Sequence, residues 1–335
     1  MLGTLKKVAV VEGISASDVP SFIYDSKQPI ILKGFIDDWP IVKKGQESEE
    51  SLQQYLLNCA NDSRLIIGHG PANIDGRIFY NEELTDLNCK AYKMSLADLF
   101  GHLSNHKCDK NPPLYYMGTT SVETYFSDLR QENDIHIEGK SPVMNMWMGN
   151  QSTIPAHYDV PNNIACNIYG KRRFTLFPPE QLDNLYIGPL DFTPAGQSIS
   201  LVDVKDPDFI KFPKFRQTLK HAQVAELDAG DALFLPSMWW HHVEGLTHFN
   251  LLATFWWSST DHLTDESGNA LLYSIMALRN LPEDKKDIWF NLFKHYIFDA
   301  APLDHIPENA KGILNPQTEK ALRHFKDYLI KRLRH

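Results

Sequence analysis

Cysteine is scarce in this chain of 335 residues, which contains only four. The four are Cys59, Cys89, Cys108 and Cys166, and no two of them form a C-x-x-C pair. They are too few for the disulfide framework of a small secreted scaffold. We expect four free thiols in a reducing compartment, with the cytoplasm as the default location.

Long apolar segments are also missing. No run of about 18 apolar residues occurs, which is the length that a membrane-spanning helix needs. The start of the chain carries Glu12 and Asp18 and lacks the sustained apolar region and the cleavage site of a signal peptide. The sequence therefore predicts neither a membrane span nor a secretory leader.

An excess of positive charge is absent as well. The formal net charge is −9, so the field of the whole molecule does not attract nucleic acid. The two dense basic clusters are Lys171–Arg173 and Lys331–Arg334, and each can be ordinary solvated surface. A nucleic-acid partner is therefore disfavoured, although a tRNA substrate would need only a local patch.

The pattern of apolar residues divides the chain into three regions. Residues 1–140 mix short strands and helices and predict an α/β lead-in that packs on the next region. Residues 141–260 contain short apolar strands separated by turn residues, which indicates a β-sandwich or barrel, with a long, partly ordered insertion at 178–222 near its mouth. The predicted strands are Val143–Met148, Ile164–Tyr169, Arg173–Phe177, Ala232–Leu235 and Asn250–Trp257.

Residues 261–335 are predicted to be helical. Asp287–Phe298 and Thr318–Leu333 each place large apolar side chains on one helical face. Such a face usually packs on the parent domain. Two aromatic-rich faces near one end of the chain could instead pack against a second copy, so we expect a homodimer as one possible assembly.

Two short histidine-containing motifs carry the chemistry. In His157-Tyr158-Asp159 the outer two residues share a face if the segment is a β-strand, and a second motif, Trp240-His241-His242, follows about 80 residues later. Two imidazoles and one carboxylate form the facial triad that holds non-haem Fe(II). An H-x-D triplet also arises by chance about once in such a chain, so surface histidines on a plain β-sandwich are the alternative.

Four segments taken together resemble the cupin-like JmjC oxygenases. They are Pro29–Pro40, Ile154–Asp159, Gly170–Pro179 and Gly230–His242, with the motifs P-A-H-x-D, G-x-x-R-x-x-L-F-P-P and L-P-x-x-W-W-H-H in this order. Within that family these motifs resemble those of the asparaginyl hydroxylase that inhibits hypoxia-inducible factor. The resemblance covers residues 25–260 and implies a double-stranded β-helix, bound Fe(II), and 2-oxoglutarate and dioxygen as co-substrates.

The same resemblance implies the metal ligands. His157, Asp159 and His241 match the three iron ligands of the family. Neighbouring strand residues face opposite ways, so only one of His241 and His242 should reach the metal. The family pattern favours the histidine that directly follows Trp240.

It also implies a co-substrate pocket. Arg172 stands where the family has a lysine for the remote carboxylate of 2-oxoglutarate, and a guanidinium can bind a carboxylate through two hydrogen bonds. Lys171 is the alternative if the register is shifted by one residue. The remaining assignments are Tyr116 rather than Tyr115 for the same carboxylate, Asn163 near the metal-proximal carboxylate, and Trp256 in the barrel wall.

Two departures from the family pattern concern the substrate. Ile154 replaces a threonine of the co-substrate pocket, and Gly118 replaces a glutamine that contacts substrate. The first expectation is a 2-oxoglutarate-dependent hydroxylase of a protein or peptide side chain. The alternatives are a hydroxylase of tRNA, a nucleoside or a small metabolite, and a metal-binding cupin that is not an oxygenase.

Overall fold

The structure is a computed structural model that describes residues 5–258, 267–300, 302–315 and 318–334. The chain separates into two compact units, Met1–Ser259 and Thr260–His335. In the described residues, all of the β-strands belong to the first unit. They are β1 Lys6–Lys7, β2 Ala9–Glu12, β3 Ile30–Lys33, β4 Leu65–Gly70, β5 Lys90–Met94, β6 Leu114–Ser121, β7 Val143–Gly149, β8 Thr153–His157, β9 Asn162–Tyr169, β10 Arg172–Phe177, β11 Gln223–Leu227, β12 Ala232–Leu235, β13 Trp240–Gly245 and β14 Asn250–Trp257.

Helices lie between and after these strands. Ser48 caps the helix Glu49–Cys59 by accepting a hydrogen bond from the Ser51 N–H, and Ser95 caps the helix Leu96–Asn105 by accepting one from the Asp98 N–H. The α-helices are α1 Ser21–Tyr24, α2 Pro40–Glu47, α3 Glu49–Cys59, α4 Leu96–Asn105, α5 Val122–Tyr125, α6 Phe215–His221, α7 Ser267–Leu278, α8 Glu283–Phe293 and α9 Glu319–Leu333. None of the helices in the described part of the chain is both long and apolar enough to cross a membrane.

The strands form two sheets that enclose an apolar interior. One has five strands in the order β1-β11-β10-β13-β8, and the other has nine in the order β2-β3-β12-β9-β14-β7-β6-β4-β5. Phe174 and Val243 from the smaller sheet pack with Ala165 and Leu252 from the larger one. Alternating strand residues bring these side chains to one face of each sheet. The mainly β, cupin-like jelly-roll core with flanking helices is thereby confirmed.

The N-terminal region adds strands to the larger of the two sheets. Strands β2 to β6 extend the nine-stranded sheet on both sides. Helices α2, α3 and α4 contribute Ile41, Leu52 and Leu99 to an apolar cluster that also contains Met146 and Phe255 of the large sheet. The α/β lead-in is therefore packed on the core sheet through a common set of buried side chains.

Residues 178–222 are packed against the smaller sheet. Leu185, Val202 and Phe215 of this segment are buried together with Phe177 and Trp240, which belong to strands β10 and β13. Because Phe177 and Trp240 are cross-strand partners, they present one apolar patch to the insertion. The sequence predicted a partly ordered segment, but the structure shows one that is fixed by its own buried apolar residues.

The second unit buries none of its described side chains. Helices α7, α8 and α9 and the π-helical turn Lys294–Phe298 contain no buried residue. Large apolar groups are instead exposed, among them Trp289, Phe290 and Phe298. The predicted helical character of this region is confirmed, and its described apolar side chains are all at least partly exposed.

Candidate functional site

Three potential metal ligands converge between the two sheets. His157 ends β8, His241 lies in β13, and the two are paired across the β8–β13 ladder. Their rings are 4.2 Å apart between centroids, and His241 Nε2 is 3.6 Å from Asp159 Oδ2. One ligand atom from each of the three residues lies within 4.8 Å of the others. This arrangement can hold one ion.

Backbone hydrogen bonds orient both imidazoles. The Nδ1 atom of His157 is 2.8 Å from the Pro155 carbonyl oxygen, and that of His241 is 3.0 Å from the Trp239 carbonyl oxygen. When Nδ1–H donates to a carbonyl, the Nε2 atom keeps its lone pair for a metal. The two rings are therefore held with their Nε2 atoms free for coordination.

The charge state of His241 suits coordination. The pKa of His241 is lowered to about 4, mainly by burial and next by the neighbouring His157, while Asp159 and the Trp239 carbonyl act in the opposite direction. A metal ligand must be the neutral imidazole. His241 is thus already neutral at physiological pH, so a metal ion does not have to displace a proton from it.

His242 lies on the opposite face of β13. It is paired with Thr175, and its Nδ1 atom is 4.0 Å from Glu244 Oε2. Burial is also the main cause that lowers its pKa, here to about 3. The structure therefore brings His241, and not His242, to His157 and Asp159.

A buried arginine lies in the same interior. Arg172 begins β10 and is 3% exposed, and the turn before it contains Gly170 with φ +79°, where a side chain would collide with Phe249 and Asn250. Within the described residues Arg172 forms no ion pair, and its one hydrogen bond runs from Nε to Asn167 Oδ1 at 3.5 Å. A buried guanidinium without an acidic partner is costly unless an anion binds there.

Tyr116 faces this arginine. Burial raises the pKa of Tyr116 to about 12, and Arg172 acts in the opposite direction. Burial lowers the pKa of Arg172 to about 10. The adjacent Tyr115 instead stacks on His102 of α4 at 4.5 Å between ring centroids. Tyr116 thus interacts electrostatically with Arg172, whereas Tyr115 packs on α4.

Two further predicted residues are cross-strand neighbours on β9 and β14. Asn163 is paired with Trp256 in the ladder, and both Asn163 Oδ1 and Trp256 Nε1 are buried without a hydrogen-bond partner. Buried polar groups are normally satisfied. Free polar atoms on the inner face of a strand pair therefore point to a molecule that binds between the sheets.

Three other positions from the sequence analysis, Lys171, Ile154 and Gly118, lie in different parts of the fold. Lys171 is exposed and forms an ion pair with Asp228 at 3.0 Å, which places it outside the barrel. Ile154 packs on the interior apolar cluster. Gly118 lies in β6 where the pairing with β7 is irregular, between Met117 and Thr120.

Sequence reasoning missed Asn167 as a supporting residue. This buried asparagine lies within the apolar strand β9 and accepts the hydrogen bond from Arg172. Its Nδ2 donates to the Gly170 carbonyl at 2.9 Å, so one side chain connects the turn to the guanidinium. The available signal was a polar residue in the middle of an otherwise apolar strand.

Comparison with known proteins gives one family and several distant relatives. Residues 16–262 match the model of the cupin-like domain. Lysine-specific demethylase 8 of Xenopus tropicalis is 26% identical over 235 residues, which is 69% of this chain and 48% of that protein. JmjC domain-containing protein D of Dictyostelium discoideum is 27% identical over 239 residues, covering 65% of this chain and 49% of that protein.

A third relative is named for an action on tRNA. Human tRNA wybutosine-synthesizing protein 5 is 27% identical over 176 residues, which is 48% of this chain and 50% of that protein. The chain spans about half the length of these curated relatives. The three support the predicted JmjC and cupin likeness; none of them is an asparaginyl hydroxylase, so that closer likeness stays a prediction.

Proposed function

Because the chain belongs to the cupin-like domain family, we propose that it is an Fe(II)- and 2-oxoglutarate-dependent dioxygenase that hydroxylates a protein or peptide side chain. One observation carries this proposal. A cluster of two histidines and one aspartate lies in the same interior as Arg172, a buried guanidinium with no ion-pair partner in the described residues. A metal-binding cupin of another kind would need the first feature but not the second.

The three donors fit Fe(II). Two neutral imidazoles and a carboxylate form the facial set that leaves three neighbouring coordination positions open. The lowered pKa of His241 and the free Nε2 atoms of both histidines support this ligand set. We assign His157, Asp159 and His241 as the metal ligands.

The remaining polar groups fit a bound dicarboxylate. Arg172 and the Tyr116 hydroxyl would bind the remote carboxylate of 2-oxoglutarate through charge-assisted hydrogen bonds. The unpartnered atoms of Asn163 and Trp256 would meet the metal-proximal end or the substrate. Asn163 presents an acceptor there, and a half-turn of its amide would present the donor that a carboxylate needs.

The protein and the bound groups have separate tasks. Iron with 2-oxoglutarate and dioxygen supplies the oxidising chemistry, in which the co-substrate is converted to succinate and CO₂ while a C–H bond is hydroxylated. The chain binds and orients the dicarboxylate through Arg172 and Tyr116. Apolar side chains such as Leu176, Val243 and Leu252 line the interior and exclude water.

The substrate class is proposed from the names of the relatives. One relative is named as a lysine-specific demethylase, which favours a protein substrate. A relative named as a tRNA-modifying protein keeps tRNA as the second candidate. Against it, Lys171 pairs with Asp228 and Arg173 with Glu226 on the outer surface, while Arg172 points inward.

Succinate release tests the reaction class. The purified protein should bind 2-oxoglutarate and convert it to succinate only when Fe(II) and dioxygen are present, and His157→Ala should remove this activity. Screening peptides, tRNA and amino acids by mass spectrometry for the gain of one oxygen atom then tests the substrate. If the protein has no affinity for 2-oxoglutarate and releases no succinate, the oxygenase proposal is wrong.

We also propose that the second unit binds another copy of the chain. Helix α8 exposes Trp289 and Phe290 to solvent, and symmetric dimers are the commonest homo-oligomers. Trp289→Glu should convert a dimer to a monomer in sedimentation experiments, whereas Lys285→Glu on the same helix should not. A wild-type monomer at all concentrations would contradict the proposal.

A cytoplasmic location stays a prediction from cysteine usage.

A further inference from the structure

The three proposed ligands are held in different ways. His157 and His241 lie within paired strands, and each ring is oriented by a backbone carbonyl. Asp159 lies in the turn between β8 and β9, after the strand has ended. Among the described residues, no side-chain or backbone donor forms a hydrogen bond to its carboxylate, so its position depends on the turn.

The turn at residues 236–239 is hydrogen bonded to the turn that contains Asp159. The Ser237 hydroxyl donates to the Val160 carbonyl, and the Ser237 N–H donates to Asn162 Oδ1 at 2.9 Å. The Met238 N–H donates to the Asp159 carbonyl at 2.8 Å. Three hydrogen bonds from two consecutive residues thus fix residues 159–162, and the second turn leads directly into the strand that contains His241.

Met238 adopts an unusual backbone conformation where its N–H donates to the Asp159 carbonyl. Its φ is +67°, in the left-handed region, and Trp239 N–H donates to the Pro236 carbonyl at 3.3 Å to close the turn. A non-glycine residue with positive φ is uncommon and costs free energy. The Met238 side chain is 40% exposed, and the conformation allows the Met238 N–H to donate to the Asp159 carbonyl.

We propose that Ser237 and Asn162 are positioning residues for the metal centre. Through the turn they hold the Asp159 carboxylate towards His157 and His241, and they couple the Asp159 turn to the strand that carries His241. The inference rests on the proposed metal site. It adds two residues, 75 positions apart, that are not among the proposed metal ligands.

Binding of Co(II), a spectroscopic substitute for Fe(II), tests this role in the full-length protein. Ser237→Ala and Asn162→Ala should each weaken Co(II) binding by about 10- to 100-fold, as loss of groups that support metal ligands does. The visible absorption of bound Co(II) should change with its ligand geometry. Ser237→Thr, which keeps the hydroxyl, and Asn162→Asp, which keeps the acceptor, should restore most of the affinity.

Substitutions of Met238 separate the backbone from the side chain. Glycine takes positive φ without cost, so Met238→Gly should bind Co(II) within about threefold of the wild type. A β-branched residue strongly disfavours this conformation, so Met238→Val should weaken binding as Ser237→Ala does.

A stability-matched control is available in α4. Ser95→Ala removes the cap of that helix and should lower the melting temperature of the metal-free protein without changing Co(II) affinity. If Ser95→Ala weakens binding equally, or if Ser237→Ala and Asn162→Ala bind as the wild type does, the positioning role is wrong. A wild type that binds no Co(II) or Fe(II) overturns the metal site as well, so the two failures are distinguishable.

Discussion

The inner and outer faces of the five-stranded sheet carry residues of the same types in opposite surroundings. On the outer side, Lys171 pairs with Asp228, and Arg173 donates two hydrogen bonds to Glu226. On the inner side, Arg172 is buried without an acid. The difference shows that the face a cation occupies, more than its type, determines whether it is structural or available to an anionic ligand.

The two histidines of β13 repeat this contrast. Both are buried and both have lowered pKa values. His241 faces His157 and Asp159, whereas His242 faces Thr175 and Glu244 across the outer side of the sheet. Their burial and charge state are similar, so only their neighbours separate a proposed ligand from a residue outside the metal centre.

The largest effect is expected from removing the inner histidine. His241→Ala should weaken Fe(II) binding by more than about 100-fold, because loss of residues that only support a ligand already costs about 10- to 100-fold. His242→Ala should retain most of the binding. Isothermal titration with Fe(II) under anaerobic conditions measures both, and the reverse result would mean that the two faces are exchanged.

The next effect concerns the cations of β10 and its preceding turn. Arg172→Ala should raise the dissociation constant of 2-oxoglutarate by roughly 10- to 100-fold, since hydrogen bonds to charged groups contribute about 1.5–3 kcal/mol. Lys171→Ala, which loses an exposed ion pair, should leave it within about twofold. Equal effects of the two substitutions would mean that the inner Arg172 and the outer Lys171 do not differ in their contribution to 2-oxoglutarate binding.

Acid should destabilise the metal-free protein through both histidines. The folded-state pKa of His241 is about 4, below the ordinary value of about 6.5, so the unfolded chain binds more protons between these values. The contribution of His241 to the free energy of unfolding is complete above pH 6.5 and is lost as the pH falls towards 4. Urea unfolding at pH 6.5 and 4.5 should show a loss of about 2 kcal/mol from this residue.

The pH dependence can be assigned by substitution. His241→Asn or His242→Asn should each make the loss between pH 6.5 and 4.5 smaller, because the neutral amide takes up no proton. Since the pKa of His242 is lowered to about 3, the two faces should contribute alike here, in contrast to metal binding. A loss that neither substitution reduces would mean that other groups cause it.

The smallest effect separates two tryptophans that contact each other in the barrel. Trp147 Nε1 donates to Thr254 Oγ1 at 3.0 Å, so Trp147→Phe should lower the free energy of unfolding by about 1 kcal/mol or more. Trp256 Nε1 has no partner, so Trp256→Phe should cost the free protein little and weaken a bound ligand instead. A larger stability loss for Trp256→Phe would show that its indole is already satisfied.

Much of the fold was predictable because strand and helix signals are local. Ala232–Leu235 and Asn250–Trp257 have the predicted bounds. In the core strands, runs of β-branched and aromatic residues end at Pro, Gly, Asp or Asn. Three consecutive cations at 171–173 also imply by strand alternation that one of them differs in direction from the other two.

Other features depend on contacts between distant residues. The pairing of Ser237 with Asn162 and the support of Arg172 by Asn167 have no local sequence pattern. The irregularity between His241 and Val243 shifts the pairing with β8, so Ile154 and His157 both face the interior although they are three residues apart. An alternation rule would have assigned them to opposite faces.

The strand that ends in His157 is the last strand of its sheet, yet its edge is occupied. Thr153 N–H donates to the Gly76 carbonyl at 2.8 Å, and Ser200 N–H donates to the Ala156 carbonyl at 2.8 Å. An uncovered edge would offer free amides and carbonyls to any extended chain. Shortening the 178–222 segment would therefore be expected to promote intermolecular strand pairing and aggregation beside the metal centre, so this segment protects solubility as well as shape.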